Sequence, residues 1–154
     1  MNVYERTVKA LGTTRLFAVF GRRVLTPIDR LLKGRNRSLS TLGTDFPLVY
    51  LTTTGRRSGR PHISPLLVID GPSGWMVAAT NFGGPPPAWS LNLLATPSAV
   101  FEREGRSFEV VARLASDDEK TASWIQFDAV WPAFAAYRRR ANRPIDVFVL
   151  DPTG

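Results

Sequence analysis

A small mainly-β barrel, closed or partly split and decorated by helices, is the fold class this sequence predicts. Three observations predict it. Short β-branched and apolar runs recur between Gly- and Pro-containing turns. They do not alternate regularly with helices, so a Rossmann sheet is not expected. The chain has 154 residues, the size of one domain with its own core.

Each element follows from its residues. Residues 3–21 carry Val3, Tyr4, Val8, Leu11, Leu16, Phe17, Val19 and Phe20 at roughly helical spacing, with Gly12 weakening the middle. Thr26 then reads as an N-cap with Pro27 at the first helical position. Ile28, Leu31 and Leu32 form an apolar stripe, and Gly34 closes it. Residues 1–40 are therefore expected to form a basic amphipathic helical segment that packs on the domain or covers its site. Such a segment also suits an anionic membrane surface, with Phe17 and Phe20 in the lipid. Residues 41–154 are expected to form the barrel. Residues 47–54 read as a strand, 55–61 as a turn, and 62–69 as a strand whose Pro65 argues for an edge or bulge. After the turn at 70–74, residues 75–80 complete an expected antiparallel meander. The loop 81–88 is stiffened by Pro85, Pro86 and Pro87, and 89–94 suits a short helix. Strands follow at 98–102 and 106–114. Ser116 and Glu119 have capping-box spacing, so a helix runs from Asp117 toward Ala129. Pro132 interrupts it, a second piece runs 133–141, and 144–150 is the last strand.

Composition narrows the chemistry. Hydrophobic residues at 44 % and charged residues at 21 % fit a folded domain rather than a disordered one. Cysteine is absent and His62 is the one histidine, so thiol chemistry and disulfides are excluded and no metal site is expected. The net charge is +7, and residues 1–62 alone carry +9. That field favours an anionic partner. No apolar run reaches about 18 residues, so no membrane span is expected. The start lacks the apolar region of a signal peptide, which makes a cytoplasmic location the expectation.

Gly55-Arg56-Arg57-Ser58-Gly59-Arg60 is the most informative stretch. Glycines permit a tight reversal, and three guanidinium forks with a hydroxyl offer the donors that phosphate or several carboxylates need. It is neither a Walker loop nor a dinucleotide fingerprint, because the lysine spacing and the long following helix are missing. An ordinary charged hairpin turn is the competing reading.

The run Leu51-Thr52-Thr53-Thr54-Gly55-Arg56-Arg57-Ser58-Gly59-Arg60-Pro61 resembles the opening motif of the deazaflavin (F420)-dependent nitroreductase and quinone reductase family. The likeness continues through Pro65-Leu66, Asn81-Phe82-Gly83-Gly84, Pro87-Ala88-Trp89, Asn92-Leu93 and Pro97. It resumes in Trp131-Pro132, Tyr137-Arg138-Arg139 and Arg143 to Leu150. This resemblance implies the split β-barrel shared with FMN-binding, pyridoxamine-phosphate-oxidase-like proteins. It implies coenzyme F420 as cofactor and hydride transfer from its reduced form to a quinone or nitro compound. It also implies that some relatives sit on the inner face of the plasma membrane.

Site residues follow from the same resemblance. Arg56, Arg57, Ser58, Gly59 and Arg60 are expected at the phosphate and glutamate tail. Ser64, Pro65 and Leu66 are expected along the ring, with Ala79, Thr80, Asn81, Gly83 and Gly84 at its edge. Trp89 and Asn92 are expected to wall the cofactor site. Trp131, Phe134 and Tyr137 are expected to line the acceptor pocket, and Tyr137, the one hydroxyl among them, is the expected catalytic group. Trp131 and Phe134 stand where nitro-drug reducers carry tyrosine. His62 replaces an arginine common in relatives; a tail contact tuned by pH and a plain solvent-facing residue are both open. Rival readings are an FMN or haem protein of the same fold and a carrier of fatty acid or other lipid. Nucleic acid is not expected as a partner, because neither a helix-turn-helix nor a stacking platform is present. Monomer and dimer both remain open.

Overall fold

The computed structural model describes residues 48–153. The helices expected within residues 1–40, and the boundary of that segment, lie outside the described residues. In chain order the elements are β1 (Leu48–Thr54), β2 (Pro61–Leu67), β3 (Ile69–Asp70), β4 (Trp75–Ala78), a 3-10 turn (Asn81–Gly83) and α1 (Ala88–Ala95). They continue with β5 (Ser98–Arg103), β6 (Arg106–Leu114), α2 (Asp117–Val130), α3 (Ala133–Ala141) and β7 (Val147–Pro152).

The strands form one seven-stranded sheet in the order β2-β1-β5-β6-β7-β4-β3. Neighbouring strands in it run antiparallel. The two end strands, β2 and β3, are consecutive in the chain and joined by Val68 alone. One residue spans only about 3.5 Å, so the two edges of the sheet must meet there. The sheet is therefore curled into a barrel with its seam beside β2. Pro65 lies in an end strand, as its missing N–H requires. The expected meander is corrected: β4 pairs with β3 and β7, not with β2. The run 62–69 breaks at Val68 as the chain leaves one edge of the sheet for the other.

Alternation along the strands divides the core in two. Val49, Leu51, Phe101, Val110, Val77 and Leu150 point into the barrel, where Trp89 and Leu93 of α1 plug the interior. Ile69, Met76, Val147 and Val149 point outward and are covered by Phe127, Phe134 and Tyr137 of α2 and α3. Strands β4 and β7 are thus buried on both faces. That is why Val147-Phe148-Val149-Leu150 is an unbroken apolar run. Helix α2 starts at the expected capping box: Glu119 N–H donates to Ser116 Oγ and Ser116 N–H donates to Glu119 Oε2.

Candidate functional site

The basic turn joins β1 to β2. Gly55 N–H donates to Arg60 O and Gly59 N–H donates to Gly55 O, both at 2.8 Å. Gly59 has φ +68°, which glycine adopts without steric cost. A Cβ at Gly55 would lie 2.6 Å from Ser58 Oγ and 2.8 Å from the His62 ring, so both side chains would have to shift to admit one. Arg60 N–H donates to Ser58 Oγ at 3.1 Å, and His62 Nε2 lies 3.5 Å from the same oxygen. Arg56, Arg57 and Arg60 are exposed, and among the described residues none of them pairs with a carboxylate. Three cations on one short turn repel one another, and an anion would relieve that repulsion.

The turn is anchored to α1 through Asn92. Arg56 N–H donates to Asn92 Oδ1 at 3.0 Å, and Asn92 Nδ2–H donates to Thr53 Oγ1 at 3.0 Å. Asn92 is 2 % exposed. Its amide is therefore engaged at both ends within the protein, and it sets where the turn sits. Trp89, one helical turn earlier, is buried in the barrel with its ring edge-on to Phe148 at 5.8 Å. The two residues share one face of α1, as their spacing predicts, and that face packs inward.

The residues expected along the ring divide by the pleat of β2. Ser64 lies opposite Leu51, and Leu66 lies opposite Val49, on the barrel side. Pro65 lies opposite Tyr50 on the outer side. The run Ser64-Pro65-Leu66 therefore does not present one surface. A groove of about 430 Å³ runs along the outer face of β1, β5 and β6, lined by Thr52, Thr54, Val100 and Val111, and reaches the basic turn at Gly59 and Pro61.

The expected ring-edge loop is strained. Asn81, Phe82 and Gly83 have φ of 44°, 55° and 82° in succession. Asparagine and glycine tolerate this region; phenylalanine pays roughly 1–2 kcal/mol to enter it. Packing holds the loop in place. The Phe82 ring meets Tyr137 edge-on at 5.6 Å. Gly83 lies so close to α3 that a Cβ would come 2.7 Å from Arg140 Cβ. Asn81 Nδ2–H donates to Pro85 O at 2.7 Å. Arg143 Nη2–H donates to both Ala79 O and Gly84 O at 3.0 Å, and Nε–H donates to Gly84 O at 3.2 Å. Burial lowers the Arg143 pKa, and the nearby Asp146 charge partly offsets that. The loop leads into the start of α1, and the basic turn is anchored at Asn92, about 6 Å along the helix from Ala88.

The aromatic trio sits in the interior. Trp131, Phe134 and Tyr137 are 6 %, 4 % and 2 % exposed. Trp131 Nε1–H donates to Tyr137 Oη at 2.9 Å. Burial pushes the Tyr137 hydroxyl up to about 12, while the Trp131 bond and the Arg140 charge act the other way. Among the described residues the three rings pack together beneath β4 and β7. The i, i+3 spacing of Phe134 and Tyr137 makes a core stripe on α3. Pro132 ends α2 so that Trp131 turns inward beside them.

Sequence reasoning missed two residues of this arrangement. Thr53 carries no site role in the sequence, where it belongs to a strand and to the matching run, although its hydroxyl supports Asn92. Arg143 was read only within a matching run, although it ties both ends of the 79–84 loop. No cluster of metal-ligating side chains occurs among the described residues.

Comparison with known proteins accords with this arrangement. The family model described as F420H(2)-dependent quinone reductase matches residues 28–152. A Mycobacterium tuberculosis protein, Rv3178, assigned as an F420H(2)-dependent quinone reductase, is 28 % identical over 116 residues, covering 72 % of this chain and 98 % of its own. A solved chain described as a domain-swapped dimer is 26 % identical, with a TM-score of 0.64 over 79 % of this chain and 92 % of that one. The F420-H2-dependent reductase FDR-A is 24 % identical, with a TM-score of 0.57 over 68 % of this chain and 94 % of its own. The fold is that of the FMN-binding, pyridoxamine-phosphate-oxidase-like split barrels. The chain belongs to the F420H(2)-dependent quinone reductase family, a family of enzymes whose redox cofactor is coenzyme F420.

Proposed function

We propose that this chain transfers a hydride from reduced F420 to a quinone, with the basic turn as the cofactor's anchor. The observation that carries the reading is the turn itself: three exposed guanidinium groups without carboxylate partners among the described residues, fixed to α1 through Asn92. F420 bears a phosphate and a chain of glutamate carboxylates, so its tail matches this donor set in sign and number. Arg56, Arg57 and Arg60 bind the tail, with Ser58 and the Gly59 backbone at its phosphate. Ser64 and Leu66 on the barrel side of β2, and the loop from Ala79 to Gly84, flank the ring.

When bound, reduced deazaflavin supplies the hydride. The protein's residues hold the ring still, exclude water and fix the direction of approach. Burial raises the Tyr137 pKa to about 12, and the neutral hydroxyl accepts the Trp131 N–H. Its proton is available to an acceptor oxygen only if the acceptor enters beside Trp131.

Fluorescence titration with F420 tests the anchor. Wild-type protein is expected to bind. Each of Arg56→Ala and Arg57→Ala is expected to weaken binding about tenfold or more, from the loss of charge-assisted hydrogen bonds. Unchanged affinity in both variants overturns the anchor. Oxidation of reduced F420 by menadione, followed by absorbance, tests the reaction. A nitroaromatic compound in place of menadione reports whether the acceptor range is wider.

A further inference from the structure

Between β4 and α1 the backbone enters the left-handed region at three successive residues, two of them not glycine. Such a turn holds its shape only where its surroundings over-determine it. Most of those surroundings touch its middle: Tyr137 under Phe82, and α3 under Gly83. One side chain grips both its ends. The guanidinium of Arg143 donates to Ala79 O, where the chain leaves β4, and to Gly84 O, where it leaves the turn. Asn142, with φ 47°, ends α3 in a left-handed cap and throws Arg143 across to the loop. The neighbouring backbone completes the tie, because Ala79 N–H donates to Asp146 O at 2.9 Å. Nη2 reaches both carbonyls and Nε adds a second bond to Gly84 O, so the rigid plane sets the angle of approach as well as the contact; an ammonium is a point donor on a flexible stem.

We propose that Arg143 is a positioning residue for the cofactor ring: by holding Ala79 O and Gly84 O in one fork, it fixes the Ala79–Gly84 loop against the ring's edge. This rests on the reading of that loop as a ring contact. Arg143 does not touch the tail-binding turn, so its effect belongs to the ring alone. Arg56 and Arg57 act on the tail alone. The two sets are therefore separable with a deazaflavin that lacks the phosphate and glutamate tail.

The test measures binding of intact F420 and of the tail-less deazaflavin to wild-type protein, Arg143→Lys, Arg143→Gln and Arg56→Ala. Thermal unfolding of each serves as the folding control. Arg143→Gln is expected to lose about tenfold or more in affinity for both ligands by the same factor, with kcat lowered at saturation. Arg143→Lys keeps the charge but loses the planar second bond to Gly84 O, and is expected to recover part of both. Arg56→Ala is expected to lose affinity for intact F420 only. If Arg143→Gln fails to fold, Arg143→Lys carries the comparison. Wild-type affinity and kcat in folded Arg143 variants overturn the proposal and leave Arg143 a structural tie. A wild-type protein that binds neither ligand overturns the functional reading itself, and that result is distinct from any pattern among the variants.

Discussion

Tyr137 shows how much one buried hydroxyl decides. Its oxygen accepts the indole N–H of Trp131 at 2.9 Å within the α2–α3 core. Replacing it by Phe removes the hydroxyl oxygen that accepts that N–H. Tyr137→Phe is therefore expected to lose about 0.5–1.5 kcal/mol of stability, measured by denaturant titration. Menadione turnover by the folded variant is expected to stay within about twofold, since the hydroxyl faces Trp131. A collapse of kcat with stability unchanged would return Tyr137 to the chemistry. The raised phenol pKa adds a second signature. The unfolded chain releases this proton near pH 10 and the folded chain only at about 12. Stability is thus complete below pH 10 and is lost as pH climbs toward 12, by about 3 kcal/mol at most. In Tyr137→Phe that part of the alkaline loss is expected to vanish.

Helix α2 begins on a charged cluster whose sign runs the other way. Arg113 of β6 donates to both carboxylate oxygens of Glu119 at 2.9 Å and to Asp151 of β7 at 3.1 Å. The Arg113 hydrogen bond first, and the Ser116 backbone N–H second, hold the Glu119 carboxyl down to about 2. The unfolded chain takes up that proton near 4.5. The contribution is present above pH 4.5 and is lost as pH falls toward 2. Thermal unfolding across that window is expected to show a shallower acid loss in Glu119→Gln than in wild-type protein. A parallel decline in both would remove Glu119 as the cause. This element was legible in advance, because a capping box is written within four residues. So were the strand at Leu48–Thr54, the turn after it, and the edge position of Pro65. The tie from Arg56 to Asn92 spans 36 positions, and that from Arg143 to Ala79 spans 64. No local periodicity encodes such pairs. For the same reason the partners of β4 were misread: hydrophobic pattern marks a strand but does not name its neighbour. The aromatic trio is a different case, because Trp131, Phe134 and Tyr137 carry the same spacing whether they face a pocket or a core.

On the scale of the molecule, the barrel and its helical cover share two strands. Phe148 faces the barrel and Val149 faces α2 and α3. Phe148→Ala is expected to cost about 3–5 kcal/mol, seen as a fall in the midpoint of denaturant unfolding. Because β7 is common to both clusters, fluorescence of Trp89 in the barrel and of Trp131 in the cover is expected to report one transition. Two separated midpoints would show that the halves unfold independently. Among the described residues no helix is long and apolar enough to cross a membrane.

The place of β7 in the sheet also bears on how the protein is made. It is the last strand described, yet it lies between β6 and β4. Until the ribosome has released it, the nascent sheet is two fragments, β2-β1-β5-β6 and β4-β3. The basic turn belongs to the first fragment and the Ala79–Gly84 loop starts from the second. Arg143 and Asp146, which grip that loop, emerge just ahead of β7. Synthesis is vectorial, so the proposed tail anchor can form early while the ring-side loop acquires its shape only as translation of the domain finishes. In a nascent chain the exposed arginines of the turn would thus be in place before the Ala79–Gly84 loop is tied down.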